Sequence, residues 1–244
     1  MIKEGIRLKD EDYEFDWLND LPDDILTLKF PRNKVQKRKI LGVSLFYFYK
    51  TSKTNCPAVK QDFLVWLKGK DNKRTEITNF VQRAVISFNS FSNLNKYDVV
   101  IFPPSKSVIL KRLELFLKVR HLSPVYFNDI FVKDTSNIDI SGLEKLLNNP
   151  KTSDSFKLYI TRVIKYVNKN QTIELKKIPK ILLQYIHNFI VPNPEYSRIE
   201  KIIEGSRVLV VDDYCFSGTT LIEVNKQLLK FNPASITNFC LISK

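Results

Sequence analysis

The sequence predicts an α/β protein built on a doubly wound, mostly parallel sheet with helices on both faces, plus an N-terminal α/β region and a helical insertion. Three observations lead there. Residues 208–211 are four apolar residues in a row, Val-Leu-Val-Val, as in a parallel strand buried on both faces. A strand–loop–helix order follows them and also occurs about 110 residues earlier, around Tyr97-Asp98-Val99-Val100-Ile101-Phe102, as a doubly wound sheet requires. With 244 residues, 43% of them hydrophobic, the chain has material for one large core or two small ones.

Residues 1–95 form the least legible part, an N-terminal α/β extension that either caps a site or adds elements to the same sheet. Ile40 to Tyr49 is a strand candidate rich in β-favouring aromatics. Phe63, Trp66 and Leu67 suggest a short helix, and Ile77, Phe80, Val81, Ala84, Val85 and Phe88 a longer amphipathic one. Residues 96–244 hold the core. After the strand at Tyr97–Phe102 comes Pro103-Pro104-Ser105-Lys106-Ser107, then a helix with Leu110, Leu113, Phe116 and Leu117 on one face.

Val125 to Val132 reads as the next strand, and residues 134–190 as the helical insertion. In it Phe156, Ile160, Val163, Ile164 and Val167 share one apolar face. Ile181, Leu182, Tyr185 and Phe189 form another after Pro179. Gly205 precedes the apolar strand at 208–211. A helix carrying Leu221, Val224, Leu228 and Leu229 follows it, Asn232-Pro233 ends that helix, and Ile236 to Ile242 closes the sheet.

The stretch from Val208 to Thr220 carries the chemistry. The carboxylates of Asp212 and Asp213 end the apolar strand, and Ser217-Gly218-Thr219-Thr220 leads into the helix. Ligands of open α/β sheets gather at the carboxyl ends of strands, and a helix start offers free N–H donors to an anion. Gly218 is one of only six glycines, against an average usage of roughly 7%; so rare a residue in a tight loop points to a left-handed backbone or a close ligand. Ser217, Thr219 and Thr220 add hydroxyl donors. Asp212 and Asp213 would repel a phosphate but suit the diol of a neighbouring ribose and a Mg²⁺ held partly through water.

At these residues the stretch resembles the phosphoribosyl pyrophosphate (PRPP) motif of type I phosphoribosyltransferases: an apolar strand, two acidic residues, a short loop, and Thr/Ser-Gly-x-Thr/Ser. The resemblance implies a phosphoribosyltransferase-like fold, PRPP as substrate and Mg²⁺ as cofactor. It assigns the ribose hydroxyls and the metal to Asp212 and Asp213, and the 5-phosphate to Phe216, Ser217, Gly218, Thr219 and Thr220. Some purine-using members carry an Asp at the position of Phe216, so base recognition of that style is not expected here. Family members also have a pyrophosphate loop after their first core strand; by that likeness Lys106 neutralises the leaving pyrophosphate, with Ser105 and Ser107 as donors, although the usual glycine is missing. An equally open reading makes Ser105 or Ser107 the N-cap of the following helix and Lys106 a solvated charge.

Composition excludes several classes. No apolar run reaches the roughly 18 residues of a membrane span, and the acidic opening is unlike a signal peptide, so a cytoplasmic protein that does not engage membranes is expected. Cys56, Cys215 and Cys240 are scattered in the sequence, which argues against a disulfide scaffold or a zinc site. His121 and His187 look isolated and structural. Net charge is +13, with nine acids against three bases in residues 1–24, leaving a basic body suited to polyanions. The expected activity is Mg²⁺-dependent transfer of phosphoribosyl from PRPP to a nitrogenous acceptor, in a protein that the resemblance makes a homodimer. The alternatives are a non-catalytic PRPP-sensing or nucleic-acid-binding regulatory protein on the same fold, or a DNA-uptake accessory protein.

Overall fold

The computed structural model describes residues 4–9, 12–16, 26–29, 36–40, 43–51, 96–105, 107–120, 123–136, 138–170, 173, 178–196, 198–215 and 218–243. Among them are strands β1 (Glu4–Lys9), β2 (Asp12–Asp16), β3 (Leu26–Lys29), β4 (Gln36–Ile40), β5 (Val43–Thr51), β6 (Val99–Ile101), β7 (Val125–Phe127), β8 (Phe131–Lys133), β9 (Ile190–Pro192), β10 (Arg207–Cys215) and β11 (Ser235–Ser243). The helices are α1 (Val108–Arg120), α2 (Ser141–Leu147), α3 (Asp154–Lys169), α4 (Lys180–Leu183), α5 (Ile199–Ile203) and α6 (Thr219–Leu229). The helices expected near residues 63–67 and 77–88, like Cys56, lie outside the described residues.

Nine strands make one sheet in the order β2-β1-β3-β5-β11-β10-β6-β7, with β4 paired to β5, while β8 and β9 form a separate antiparallel pair. The five neighbours from β5 to β7 run parallel; the strands before β5 are antiparallel additions. From β6 the chain moves outward through α1 to β7, and from β10 it moves the other way through α6 to β11. The order therefore reverses between β6 and β10, the place where doubly wound sheets bind ligands.

Alternation along the strands assigns the two faces. Val99 and Ile101 lie beside Val208 and Val210, and Tyr47 beside Cys240, which lies beside Asp212. On this side α6 contributes Leu221, Val224 and Leu228, and the insertion contributes Ile160, Val163, Leu182 and Ile186, to one buried cluster with Val208 and Val210. Each such side chain contributes about 1.5–3 kcal/mol on burial. The opposite side is covered by α1, which buries Ile109, Leu110, Leu113 and Leu117 and whose Leu117 carbonyl accepts the Tyr126 hydroxyl at 3.1 Å. The expected α/β architecture with helices on both faces is present.

Three details differ from the sequence reading. Val125 to Val132 is not one strand: Asn128 and Asp129 interrupt it, Asn128 donating to the Glu114 carboxylate at 3.0 Å and the Asp129 carbonyl accepting from Asn193 at 2.9 Å. The chain then restarts as β8 in the second sheet. Ile181, Leu182, Tyr185 and Phe189 do not share a helix, because α4 is a single turn and Phe189 leads directly into β9. Ile181 is 58% exposed, and Leu229, expected on the buried face of α6, is 63% exposed. The insertion at 134–190 is thus helical at its centre but enters and leaves through β8 and β9, with Lys133 paired to Ile190.

Candidate functional site

β6 ends at Ile101 opposite Val210, while β10 runs on to Cys215 alongside β11. This overshoot carries Asp212 and Asp213 within the strand instead of after it, and it projects the end of β10 past its neighbour at the switch point. Gly218 then turns the chain with φ of 77°, in the left-handed region where L side chains are strained. It is the N-cap of α6, so the first N–H groups of that helix open at the carboxyl end of the sheet.

A hollow of about 110 Å³ lies here, walled by Asp212, Tyr214, Cys215, Gly218, Thr219, Thr220 and Leu221. An enclosed cavity of roughly 150 Å³ takes a benzene-sized group, so the space has room for a group the size of a phosphate. One wall is the start of a helix with two threonines; the other is a strand end with a carboxyl group. Asp213 is not among the walls.

The two acidic residues are therefore unequal. Asp212 is 7% exposed, and burial followed by the charge of Asp213 pushes its carboxyl well above the usual range. Its Oδ1 accepts the Asp213 N–H at 2.9 Å, and Asp213 Oδ1 accepts the Tyr214 N–H at 2.8 Å. Asp213 is half-buried. Among the described residues no cluster of three or more His, Cys, Asp or Glu suits a metal. The pair still fits Mg²⁺, which typically takes one or two protein carboxylates and completes its shell with water and substrate phosphate.

Of the other expected site residues, Gly218, Thr219 and Thr220 meet at the hollow. Phe216, Ser217 and Lys106 lie outside the described residues. Ser107 is buried; its Oγ accepts the Leu110 N–H at 3.3 Å, the N-cap position of α1. Ser105 Oγ accepts the Ser107 N–H at 3.1 Å. Both hydroxyls thus serve the start of α1.

Several residues at or behind the site escaped the sequence reading. Arg38, one of 39 Lys and Arg residues, reaches from β4 to donate from Nη2 to the Cys215 carbonyl at 3.4 Å. The Cys215 thiol is held below its usual range by a hydrogen bond with Cys240, and further by the Arg38 charge, so these cysteines, scattered in sequence, are neighbours in space. His187 is not isolated: its Nδ1 lies 2.9 Å from Glu223 Oε1 and 2.6 Å from Lys226 Nζ. No sequence signal marks Arg38; the spacing of Glu223 and Lys226, three apart on a helix, does mark a charge pair. His121 lies outside the described residues.

Residues 153–244 match the phosphoribosyl transferase domain family. A solved structure of the allosteric regulatory enzyme of purine biosynthesis is similar at 14% identity with a TM-score of 0.34, over 67% of this chain and 25% of that chain. This chain thus corresponds to about a quarter of that structure's length. No curated protein matches. The likeness to type I phosphoribosyltransferases stands on the matched C-terminal segment, which contains β10, the hollow and α6. No described helix is long and apolar enough to cross a membrane.

Proposed function

We propose that this chain, which carries the domain of a transferase family over residues 153–244, binds PRPP with Mg²⁺ and transfers its phosphoribosyl group to a nitrogenous acceptor. The observation that supports this most is the phosphate-sized hollow between the start of α6 and Asp212. The 5-phosphate sits there on the N–H groups at the start of α6 and on the Thr219 and Thr220 hydroxyls, as at other helix N-termini. Asp212, at the wall, and Asp213 beside it would hold the ribose diol and the metal. Mg²⁺ supplies charge neutralisation for the pyrophosphate oxygens.

The acceptor nitrogen donates its lone pair to C1 of the ribose as the bond from C1 to the pyrophosphate oxygen breaks, through an oxocarbenium-like state. Pyrophosphate leaves with the bonding pair, and the proton on the acceptor nitrogen passes to solvent or a base. Contacts to the remote phosphate position C1 for this step. The test is release of pyrophosphate from PRPP with a panel of nitrogenous bases, with and without Mg²⁺. No release with any acceptor rejects the activity, and unchanged release by the double variant Asp212→Asn, Asp213→Asn removes those carboxylates from it.

A second reading is favoured by the loop at 103–107, which lies outside the matched segment, carries no glycine and uses both serines at the start of α1. Under it the protein binds PRPP or nucleic acid without transfer and serves a regulatory role in the cytoplasm. Retention of RNA or DNA that falls steeply with salt and changes with PRPP, with no pyrophosphate released, would favour that reading.

A further inference from the structure

Arg38 belongs to the N-terminal extension, not to the segment that matches the transferase domain. In β4 it pairs with Leu45 of β5, and β5 runs beside β11, with Tyr47 next to Cys240. Along this line the guanidinium passes over the Tyr47 ring, 5.9 Å from its centroid. It ends at the Cys215 carbonyl, 3.4 Å from Nη2 and 177 residues away in sequence. Cys215 is the last residue of β10 and part of the wall of the hollow. The side chain therefore crosses from the added strands to the point where the core strand gives way to the anion-binding loop.

We propose that Arg38 is a positioning residue for the 5-phosphate: it fixes the Cys215 carbonyl at the edge of the hollow and sets a permanent positive charge behind it. The inference rests on the reading above that the hollow takes the phosphate of a phosphorylated pentose. Two physical effects carry it. A guanidinium presents a rigid planar fork of donors and keeps its charge at every accessible pH. It lies over the Tyr47 ring, where cation–π attraction helps to hold it. The charge is partly buried, where salt screens it less than at an exposed position. The extension thus acts as a working part of the phosphate site.

The test titrates ribose 5-phosphate by calorimetry, at low and high salt, into the full-length protein and its Arg38→Met and Arg38→Lys variants. Neutral ribose is the control ligand, and thermal unfolding is followed in parallel. Arg38→Met is expected to weaken ribose 5-phosphate binding about tenfold, the scale of one hydrogen bond to a charged group, and to flatten its salt dependence while ribose is unaffected. Arg38→Lys is expected to keep the salt dependence but bind several-fold more weakly, because an ammonium lacks the fork. A purely structural arginine would lower the melting temperature without changing the salt dependence. Wild-type affinity and salt dependence in Arg38→Met overturn the proposal; should that variant not fold, wild-type affinity in Arg38→Lys does so. Wild-type protein that binds no ribose 5-phosphate removes the phosphate reading and this inference together, whereas tight wild-type binding with indifferent Arg38 variants removes this inference alone.

Discussion

The buried carboxylate of Glu223 accepts the backbone N–H of Asn188 at 2.8 Å, joining helix α6 to the end of the insertion. Asn188 has φ of 61°, a left-handed conformation that asparagine adopts more readily than most side chains and that this contact holds. The other Glu223 oxygen lies 3.1 Å from Lys226 Nζ. Replacement Glu223→Ala leaves the Asn188 N–H without its acceptor and is expected to cost about 1–3 kcal/mol, with Glu223→Gln milder. Urea unfolding of the two variants checks this; equal midpoints for Glu223→Ala and wild type would refute it.

Gly218→Ala forces a Cβ into the left-handed backbone at the start of α6. It is expected to cost about 1–2 kcal/mol and to weaken ribose 5-phosphate binding by distorting the helix start. Gly205 supplies the control: its φ is 66° and a Cβ there meets nothing within 4 Å, so Gly205→Ala carries similar strain far from the hollow. Loss of affinity in both variants alike would show that strain alone, not the loop, is being measured.

Asp212 makes stability fall as pH rises. Its carboxyl is raised by burial first and by the Asp213 charge second, so the folded chain holds this proton more tightly than the unfolded one. Below about 3.9, the ordinary Asp value, the residue is neutral in both states and no penalty applies. Above it the unfolded chain ionises first, and stability declines until the folded group has titrated as well. Asp212→Asn is expected to match wild type in acid and to be the more stable protein at neutral pH. Chemical unfolding at a series of pH values reads this effect.

Asp98 has the opposite sign. Side-chain and then backbone hydrogen bonds from Arg207 hold it down at about 2, through contacts of 2.7, 2.8 and 2.9 Å that join β10 to the residue before β6. Its contribution is present above the ordinary Asp value of about 3.9 and is lost as pH falls through about 2. The pair is exposed, so the effect is small and screened by salt. Arg207→Gln is expected to flatten the acid limb of the stability curve at low salt, and an unchanged limb would count against the pair.

The parts legible in sequence were those whose pattern is local. The apolar run at 208–211 announced β10, and the spacing of Leu221, Val224 and Leu228 announced α6, because burial of one strand or one helix face leaves a periodic trace. Gly218 was readable as a left-handed turn for the same local reason. What the sequence concealed depends on partners far along the chain. Ile190 to Pro192 counts as a strand only because β8 pairs with it, and proline is tolerated on such an edge. That Asp212 and Asp213 lie within β10 instead of after it follows from β10 running on beside β11 past the end of β6, a fact about three strands and not one. Arg38 gains its place from three successive strand neighbours, β5, β11 and β10, and the last two are not written in the residues beside it.

The clasp that β8 and β9 form has an architectural meaning of its own. Zipping continues inward from Lys133 and Ile190, through the paired amides and carbonyls of Asp139 and His187 at 2.9 Å, so the excursion departs and comes home through a single doorway. Lengthening or trimming its far end therefore leaves the register of the nine-stranded sheet untouched. The tether from Asn188 to α6 sets how close to the doorway such remodelling can come before the coil that opens onto the hollow loses its brace.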